Sequence, residues 1–275
     1  MFERRKRALH KYPCGHFLME RVIEDANDRL LTVARSFSSP VTLFCGGQET
    51  ANLLQRLYSK AEIAQLETDA GFFKSDGIIG SPANFGLKSA TYDLAASLLA
   101  MHAVNDLAGF LIQSRMSLKP DGLFLGCLFG AGTLQELRAV LLETDAELYN
   151  GASPRIAPFG DVRDMGGLLQ RAGFALPVSD SETLTVRYDS LFALIKDLRA
   201  MGLGNCLNGR TRKPSTKSFW QKANANYAAK YSDADGRIRA TFSIIWLSGW
   251  APSPSQPKAL RPGSATVSLK DFLKT

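Results

Sequence analysis

Apolar residues recur at helical spacing between Phe17 and Arg35, where Leu18, Val22, Ala26, Leu30 and Val33 fall near one face. The spacing predicts an amphipathic helix, stopped by Ser38-Ser39-Pro40. The run Val41 to Cys45 then reads as a short strand. It turns on Gly46-Gly47 into a helix reaching about Lys60. A strand-like run over Glu62 to Leu66 follows, ending at Glu67. After a turn at Asp76-Gly77 come a short strand, Ile78-Ile79, and the loop Gly80-Ser81-Pro82-Ala83-Asn84. Tyr92 to Leu98 and Leu123 to Phe129 are continuous apolar runs of buried-strand length. Between them the pattern predicts a helix over Asn105 to Ser117 and a turn at Lys119-Pro120-Asp121-Gly122. Thr133, with Glu136 three residues on, reads as a capping box for the next helix.

The second half is read in the same way. Asn150 to Phe159 is a turn-rich loop, followed by a helix over Asp161 to Ala172 and a strand over Leu184 to Tyr188. A helix over Leu191 to Met201, a polar loop over Gly202 to Pro214, and a helix over Ser215 to Lys230 precede a last strand, Thr241 to Leu247. Four prolines between Gly249 and Ser264 predict an extended tail. No internal repeat is visible.

Strand and helix thus alternate over residues 41–145, the pattern of a mostly parallel, doubly wound α/β sheet. Right-handed crossovers in such a sheet place a ligand at the carboxyl ends of the strands. Those ends carry Cys45-Gly46-Gly47, Glu67, Gly80-Ser81 and the stretch from Ser97 to His102. A glycine turn running into a helix N-terminus lets backbone N–H groups approach a nucleotide-like ligand. A carboxylate such as Glu67, 22 residues beyond Cys45, suits ribose hydroxyls. The turn lacks features of an intact cradle: Thr42 stands where an acid is expected, and Phe44 and Gln48 stand where glycines are expected.

Composition narrows the class. A chain of 275 residues, 45% hydrophobic, buries one good core. Residues 1–40 form a basic helical segment, and residues 41–275 form one ligand-binding domain with a helical lid insertion near 189–235. The formal charge of +7 is uneven. Residues 1–40 hold 8 basic and 5 acidic side chains, residues 41–188 hold 11 and 16, and residues 189–275 hold 14 and 5. Basic ends flanking an acidic middle suit an acidic protein, RNA or an anionic membrane surface, or serve only solubility. The four cysteines, Cys14, Cys45, Cys127 and Cys206, are far apart, as in a reducing compartment. No apolar run has membrane-spanning length, and Arg4-Arg5-Lys6-Arg7 lacks a following signal core. The expected location is a bacterial cytoplasm, with the mitochondrial matrix as the alternative.

Among chemistry-bearing residues, His102 is the only histidine beyond the first 16 residues. It is a candidate general base or substrate contact, or else a structural histidine. His10, Cys14 and His16 offer zinc-type ligands without a fourth, so no metal site is expected. Cys45 reads as buried packing, and Trp220, Tyr227 and Tyr231 as one packed helical face. The loops Tyr149 to Phe159, Asn205 to Arg212 and Trp250 to Arg261 are expected to shape a lid and a recognition surface for a protein substrate, with Arg155 and Arg261 in contact with it.

Three stretches carry a family likeness. The first is Met101-His102-Ala103-Val104-Asn105-Asp106-Leu107, leading to Leu118-Lys119-Pro120-Asp121-Gly122-Leu123-Phe124. The second is Ser153-Pro154-Arg155-Ile156-Ala157-Pro158-Phe159, ending in Arg171-Ala172-Gly173-Phe174. The third is Gly249-Trp250-Ala251-Pro252 with Arg261-Pro262-Gly263-Ser264-Ala265. Together they cover nearly the whole chain. They resemble the S-adenosylmethionine-dependent methyltransferase superfamily (type 11-like). Within it they resemble the branch of the mitochondrial complex I assembly factor that hydroxylates an arginine, with its bacterial homologues. The biotin-pathway carboxyl methyltransferases are more distant cousins.

The resemblance implies a Rossmann-like seven-stranded sheet whose last two strands pair antiparallel. It implies S-adenosylmethionine lying over Cys45, Gly46 and Gly47, with Glu67 on the ribose, the adenine near Ile79-Gly80-Ser81, and the reacting end near Ser97, Ala100 and His102. Only Gly46 sits on a family glycine, Thr42 replaces the family acid, and Ser81 replaces an Asp that contacts the adenine amine. The expected cofactor is S-adenosylmethionine, with weakened or lost binding as the alternative and Gly47 as partial compensation through a different loop path. Three outcomes stay open. The chain is a methyltransferase acting on a protein substrate, or it hydroxylates an arginine of a complex I subunit, or it is an assembly factor whose cofactor site has decayed. The hydroxylation needs an oxidant or a metal, and the sequence holds no 2-His-1-carboxylate pattern for iron. Nucleic acid is not an expected partner.

Overall fold

The computed structural model describes residues 2–11, 17–73 and 76–257. Its elements are α1 (Phe2–Lys11), α2 (Phe17–Thr32), β1 (Pro40–Leu43), α3 (Glu49–Leu57), β2 (Ala64–Glu67), β3 (Ile78–Ile79), β4 (Tyr92–Leu98), α4 (Leu107–Ser117), β5 (Leu118–Phe129), α5 (Gln135–Tyr149), α6 (Val162–Arg171), β6 (Ala175–Tyr188), α7 (Leu191–Ala200), α8 (Lys217–Tyr231) and β7 (Ile238–Trp250). The strands form one sheet in the order β3-β2-β1-β4-β5-β7-β6. The first five pair parallel, and β7 is antiparallel to both β5 and β6. The order reverses between β1 and β4, which opens a crevice at the carboxyl ends of those strands. The seven-stranded sheet and its antiparallel pair agree with the expectation.

Both faces are covered, and side-chain alternation sorts the core between them. Leu94, Ala96 and Leu98 of β4, Leu123, Leu125 and Cys127 of β5, and Trp246 of β7 join the layer under α2, α3, α5, α7 and α8. Ala95, Phe124, Ile245 and Leu247 face the opposite way, under α4 and α6. The apolar stripe of α2 (Leu18, Val22, Ala26, Leu30) belongs to the first layer, as do Leu191, Leu194 and Leu198 of α7 and Phe219, Ala223 and Tyr227 of α8. Tyr227 is fully buried and donates its hydroxyl to Arg239 O.

Several local readings change. Lys119-Pro120-Asp121-Gly122 does not separate two elements. It loops out of a continuous β5, since the two-residue step Tyr92 to Leu94 faces the five-residue step Leu118 to Leu123. Asp121 takes the left-handed φ of 64° there and pairs with Arg35 at 2.6 Å. Thr133 and Glu136 form no capping box: the residue before α5 is Leu134, in the left-handed region. Thr133 Oγ1 instead donates to Ser243 O, and the Glu136 carboxylate accepts from Thr241 N and Thr241 Oγ1, so both side chains fasten α5 to β7. β6 and β7 are longer than read, because both extend past the apolar runs as a paired ribbon. The start of the tail, at Ala251, is tied to the β5 bulge by hydrogen bonds with Asp121 and Gly122. Cys14, His16 and the tail from 258 on, Arg261 included, lie outside the described residues. Among the described residues no helix is long and apolar enough to cross a membrane.

Candidate functional site

The turn after β1 is built by backbone bonds to β2. Phe44 N donates to Leu66 O at 2.8 Å, and Gly46 N donates to the Glu67 carboxylate at 2.7 Å. Phe44 and Gly46 both take left-handed φ, 55° and 70°. For Gly46 this is free, whereas for Phe44 it costs about 1–2 kcal/mol. The Phe44 ring is fully buried, its centroid 5.4 Å from Phe85 and 6.0 Å from Phe110. Phe85 follows the β3 loop and Phe110 lies on α4, so the three rings pack together in the core layer under α4 and α6.

Glu67 is only 1% exposed. Gly80 N donates to Glu67 O at 3.0 Å, and a Cβ on Gly80 would stand 2.6 Å from Phe85 O. Gly46, Glu67 and Gly80 are therefore brought together, as expected. Gly47 is beside them, and a Cβ on it would collide with the Glu49 carboxylate at the start of α3. Gln48 reaches Gln65 Oε1 at 2.9 Å and Phe72 O at 2.8 Å. Ser81 is exposed and bridges back to Asn84 through both backbone groups.

Cys45 and Ser97 face the sheet. Cys45 Sγ lies 3.6 Å from Ala96 O and accepts from Leu98 N, while Ser97 Oγ donates to Leu43 O at 2.9 Å. These side chains hold β1 against β4, which leaves their backbone as what either can offer a ligand. The packing reading of Cys45 agrees with this. His102 sits in the 3₁₀ turn Met101–Ala103 after β4, half-buried, its ring 4.5 Å from Phe129 and 6.3 Å from Phe159. It is thus seated among aromatic rings at the end of β5.

Arg155 is anchored within the fold and also lines an open trough with Arg210, Arg212 and Lys213. Its guanidinium makes a two-pronged pair with Asp145 at 2.6 and 2.7 Å, lies 4.1 Å over the Phe219 ring and donates to Ser215. It ties the loop after α5 to the start of α8. The fully buried ring of Phe219 and the 2% exposed carboxylate of Asp145 explain why an arginine is held there. A contact that sequence reading missed joins Lys6 of α1 to Asp69 at 2.6 Å, two residues beyond Glu67. It links residues distant in sequence and carries no local pattern.

No family model matches the chain. The arginine-hydroxylase NDUFAF5 of Danio rerio, a mitochondrial protein, is 34% identical over 267 residues, covering 94% of this chain and 82% of the relative. The human protein is 35% identical over 268 residues, covering 94% and 76%. A malonyl-[acyl-carrier protein] O-methyltransferase of Nitrosospira multiformis is 33% identical over 177 residues, 64% of this chain and 55% of the relative. Among solved structures, the YcgJ protein of Bacillus subtilis matches with a TM-score of 0.57 at 11% identity, covering 85% of this chain and 99% of that one. A Thermotoga maritima structure of a SAM-dependent methyltransferase matches at 0.50 and 14%, covering 91% and 100%. The fold is that of the S-adenosylmethionine-dependent methyltransferases, and the chain belongs to the family of the arginine-hydroxylase NDUFAF5.

Proposed function

We propose that this chain is an assembly factor of the complex I type that works by binding a protein client, and that its crevice does not hold S-adenosylmethionine with the affinity of an active methyltransferase. The buried Phe44 ring at a glycine position of the turn is the observation that carries this reading. The ring is sunk into the core layer under α4 and α6, and the side chain and left-handed backbone that hold it there occupy the turn that would carry the cofactor. Thr42 supplies no charge for the cofactor's amino group, and loss of one charged hydrogen bond costs about 1.5–3 kcal/mol. Ser81 takes the place of an adenine-binding acid and bonds to Asn84 instead. Glu67 already accepts from Gly46 N, and Gln48 is anchored to Gln65 and Phe72. As a set these residues do not fit the cofactor, so no catalytic step is derived through it.

One observation favours a second reading, cofactor-dependent modification of a protein substrate. Glu67, Gly46 and Gly80 stand together at the strand ends, where a ribose carboxylate and close backbone approach belong. In that case Glu67 would hold the ribose, Gly46 and Gly80 would line the cofactor, and His102 would contact the substrate. The relatives named as mitochondrial support a mitochondrial location, and a bacterial chain of this family would work in the cytoplasm.

Calorimetric titration of the folded protein with S-adenosylmethionine and S-adenosylhomocysteine at two temperatures separates the readings. The expected result is no heat at millimolar ligand. A micromolar one-to-one isotherm would overturn the client-binding reading.

A further inference from the structure

Two side chains of α1 touch opposite sides of the crevice. Lys6 Nζ pairs with Asp69 at 2.6 Å, and Asp69 stands two residues past the end of β2. On the other side, a Cβ on Gly204 would stand 2.9 Å from the Arg4 guanidinium. Gly204 shares a small hollow with Phe129, the last residue of β5. Between β2 and β5 the sheet holds β1 and β4, so the two contacts are three strand spacings apart, about 14 Å. Residues two apart point to opposite sides of a helix, and a helix with its side chains is about 10–12 Å across. The body of α1 therefore lies above the ends of β1 and β4, where the strand order reverses. The floor there is closed to solvent: Gly46 is buried, Glu67 is 1% exposed, and Ala100, just past β4, is 0% exposed.

We propose that α1 is a strap that closes the crevice, pinned on its β2 side by Lys6 and Asp69, and that it lifts to admit whatever the crevice binds. The strap governs entry, so it stands under either reading of the function. Mobile lids are drawn from elements with few buried apolar contacts. None of the described side chains of α1 belongs to either core layer, and an open cleft of about 700 Å³ lies between Arg4, Arg7 and Ala8 of α1 and Phe192, Lys196 and Arg199 of α7. The pin is built to hold and to release. Asp69 Oδ1 accepts from Gly71 N at 2.8 Å, which fixes the carboxylate and leaves Oδ2 to face the lysine. The two side chains are 28% and 36% exposed. An ion pair that open to water changes the closed-to-open ratio by up to about fivefold, small enough for a ligand to overcome.

Carboxyl footprinting of the full chain with a carbodiimide and glycine ethyl ester, read by peptide mass spectrometry, tests the strap. Glu67 is expected to label slowly in the parent chain. Glu24, whose side chain is 73% exposed, marks full access, and Asp145 on α5, 2% exposed, reports global folding. Without the ester, the carbodiimide is expected to cross-link Lys6 to Asp69. K6E and D69K are each expected to raise Glu67 labelling about two- to fivefold with Asp145 unchanged. The charge swap K6E/D69K is expected to bring labelling back toward the parent, a rescue that loss of the Asp69 bond to Gly71 N could not show. Raising salt from about 50 to 500 mM on the parent chain is expected to expose Glu67 in the same sense, and it decides the matter where a variant does not fold. Glu67 labelling that is indifferent to K6E, D69K and salt, a swap without rescue, or absence of the Lys6–Asp69 cross-link overturns the proposal.

Discussion

Phe44 offers a perturbation whose two effects can be separated. Truncation removes a ring that is fully buried against Phe85 and Phe110, and large-to-small changes of a core phenylalanine cost about 3–5 kcal/mol. The backbone at Phe44 has φ 55°, where an L-residue is strained by about 1–2 kcal/mol and glycine is not. Phe44→Ala therefore loses the ring and keeps the strain. Phe44→Gly loses the ring, relieves the strain, and gives back about 0.4–1 kcal/mol through a more flexible unfolded chain. The alanine variant should be destabilised by about 3–5 kcal/mol and the glycine variant by about 1 kcal/mol less. Urea denaturation of the three proteins measures both numbers from midpoint shifts at a common slope. An alanine variant equal to or more stable than the glycine one would refute the left-handed assignment at Phe44. In the same two proteins, titration with S-adenosylmethionine asks whether the ring is what obstructs the crevice. Heat that appears in Phe44→Gly and is absent from the parent chain is the expected outcome if the ring is the obstacle.

Other expectations follow from the same geometry. The Asp25 carboxyl is pushed up to about 6 by burial and by the neighbouring Glu182, against the pull of Arg21 and Arg29. A carboxyl raised in the folded state contributes stability that is present in full below about pH 4 and is lost as pH climbs through 6. Melting temperatures from pH 4 to 7.5 should fall through that window in the parent and lose that component in Asp25→Asn; parallel curves would remove the assignment. Arg155→Ala strands the 2% exposed Asp145 carboxylate and should cost about 3–5 kcal/mol, with faster proteolysis of residues 150–160. The double variant with Asp145→Ala should lose less than the sum of the singles, and strict additivity in chemical denaturation would show that the pair does not couple. Glu136→Gln sets an amide N–H₂ against donors of Thr241, so a loss of about 1.5–3 kcal/mol is expected by denaturation, and an unchanged midpoint would contradict the link between α5 and β7.

The sequence showed most clearly what local periodicity controls. The buried runs of β4 and β5, the helix α2 and the glycine turn are set by apolar spacing and backbone permissiveness, and they stand where the pattern placed them. The first half of β6 was not legible. Val178 to Thr183 is largely polar on an edge strand, and only pairing with β7 makes it a strand. Thr133 and Glu136 matched a capping pattern at the right spacing, but a partner 105 residues away from Glu136 in sequence competes for the same carboxylate and wins. Arg155 was read as a recognition residue because Pro, Arg and Trp in a loop do not follow from packing alone, and the sequence did not show its anchor within the fold. Its buried partner, Asp145, lies in a helix that gives no sign of it. The cleft that Arg4 and Arg7 line with Lys196 and Arg199 was legible only as basic charge in separate stretches, since the approach of α1 to α7 is a tertiary event.

The persistence of a left-handed residue at position 44 bears on what the turn is for. Phe44 N and Gly46 N bond to Leu66 O and to the Glu67 carboxylate, so the path of the turn fixes β1 against β2 whether or not a ligand lies above it. A path required by the sheet would be kept after a cofactor is lost, and with it the one glycine and the one acid that the path uses. Gly46 and Glu67 are therefore weak witnesses for cofactor binding, because the scaffold alone accounts for both. Phe44 lies on the same path, since its left-handed φ belongs to the turn that the sheet fixes, so Thr42 and Ser81 are the positions the path leaves open, and neither brings a charge to the crevice. The sheet explains Gly46 and Glu67 whether or not S-adenosylmethionine lies above them, and for that reason the calorimetric titration, not the geometry of Glu67, decides the function.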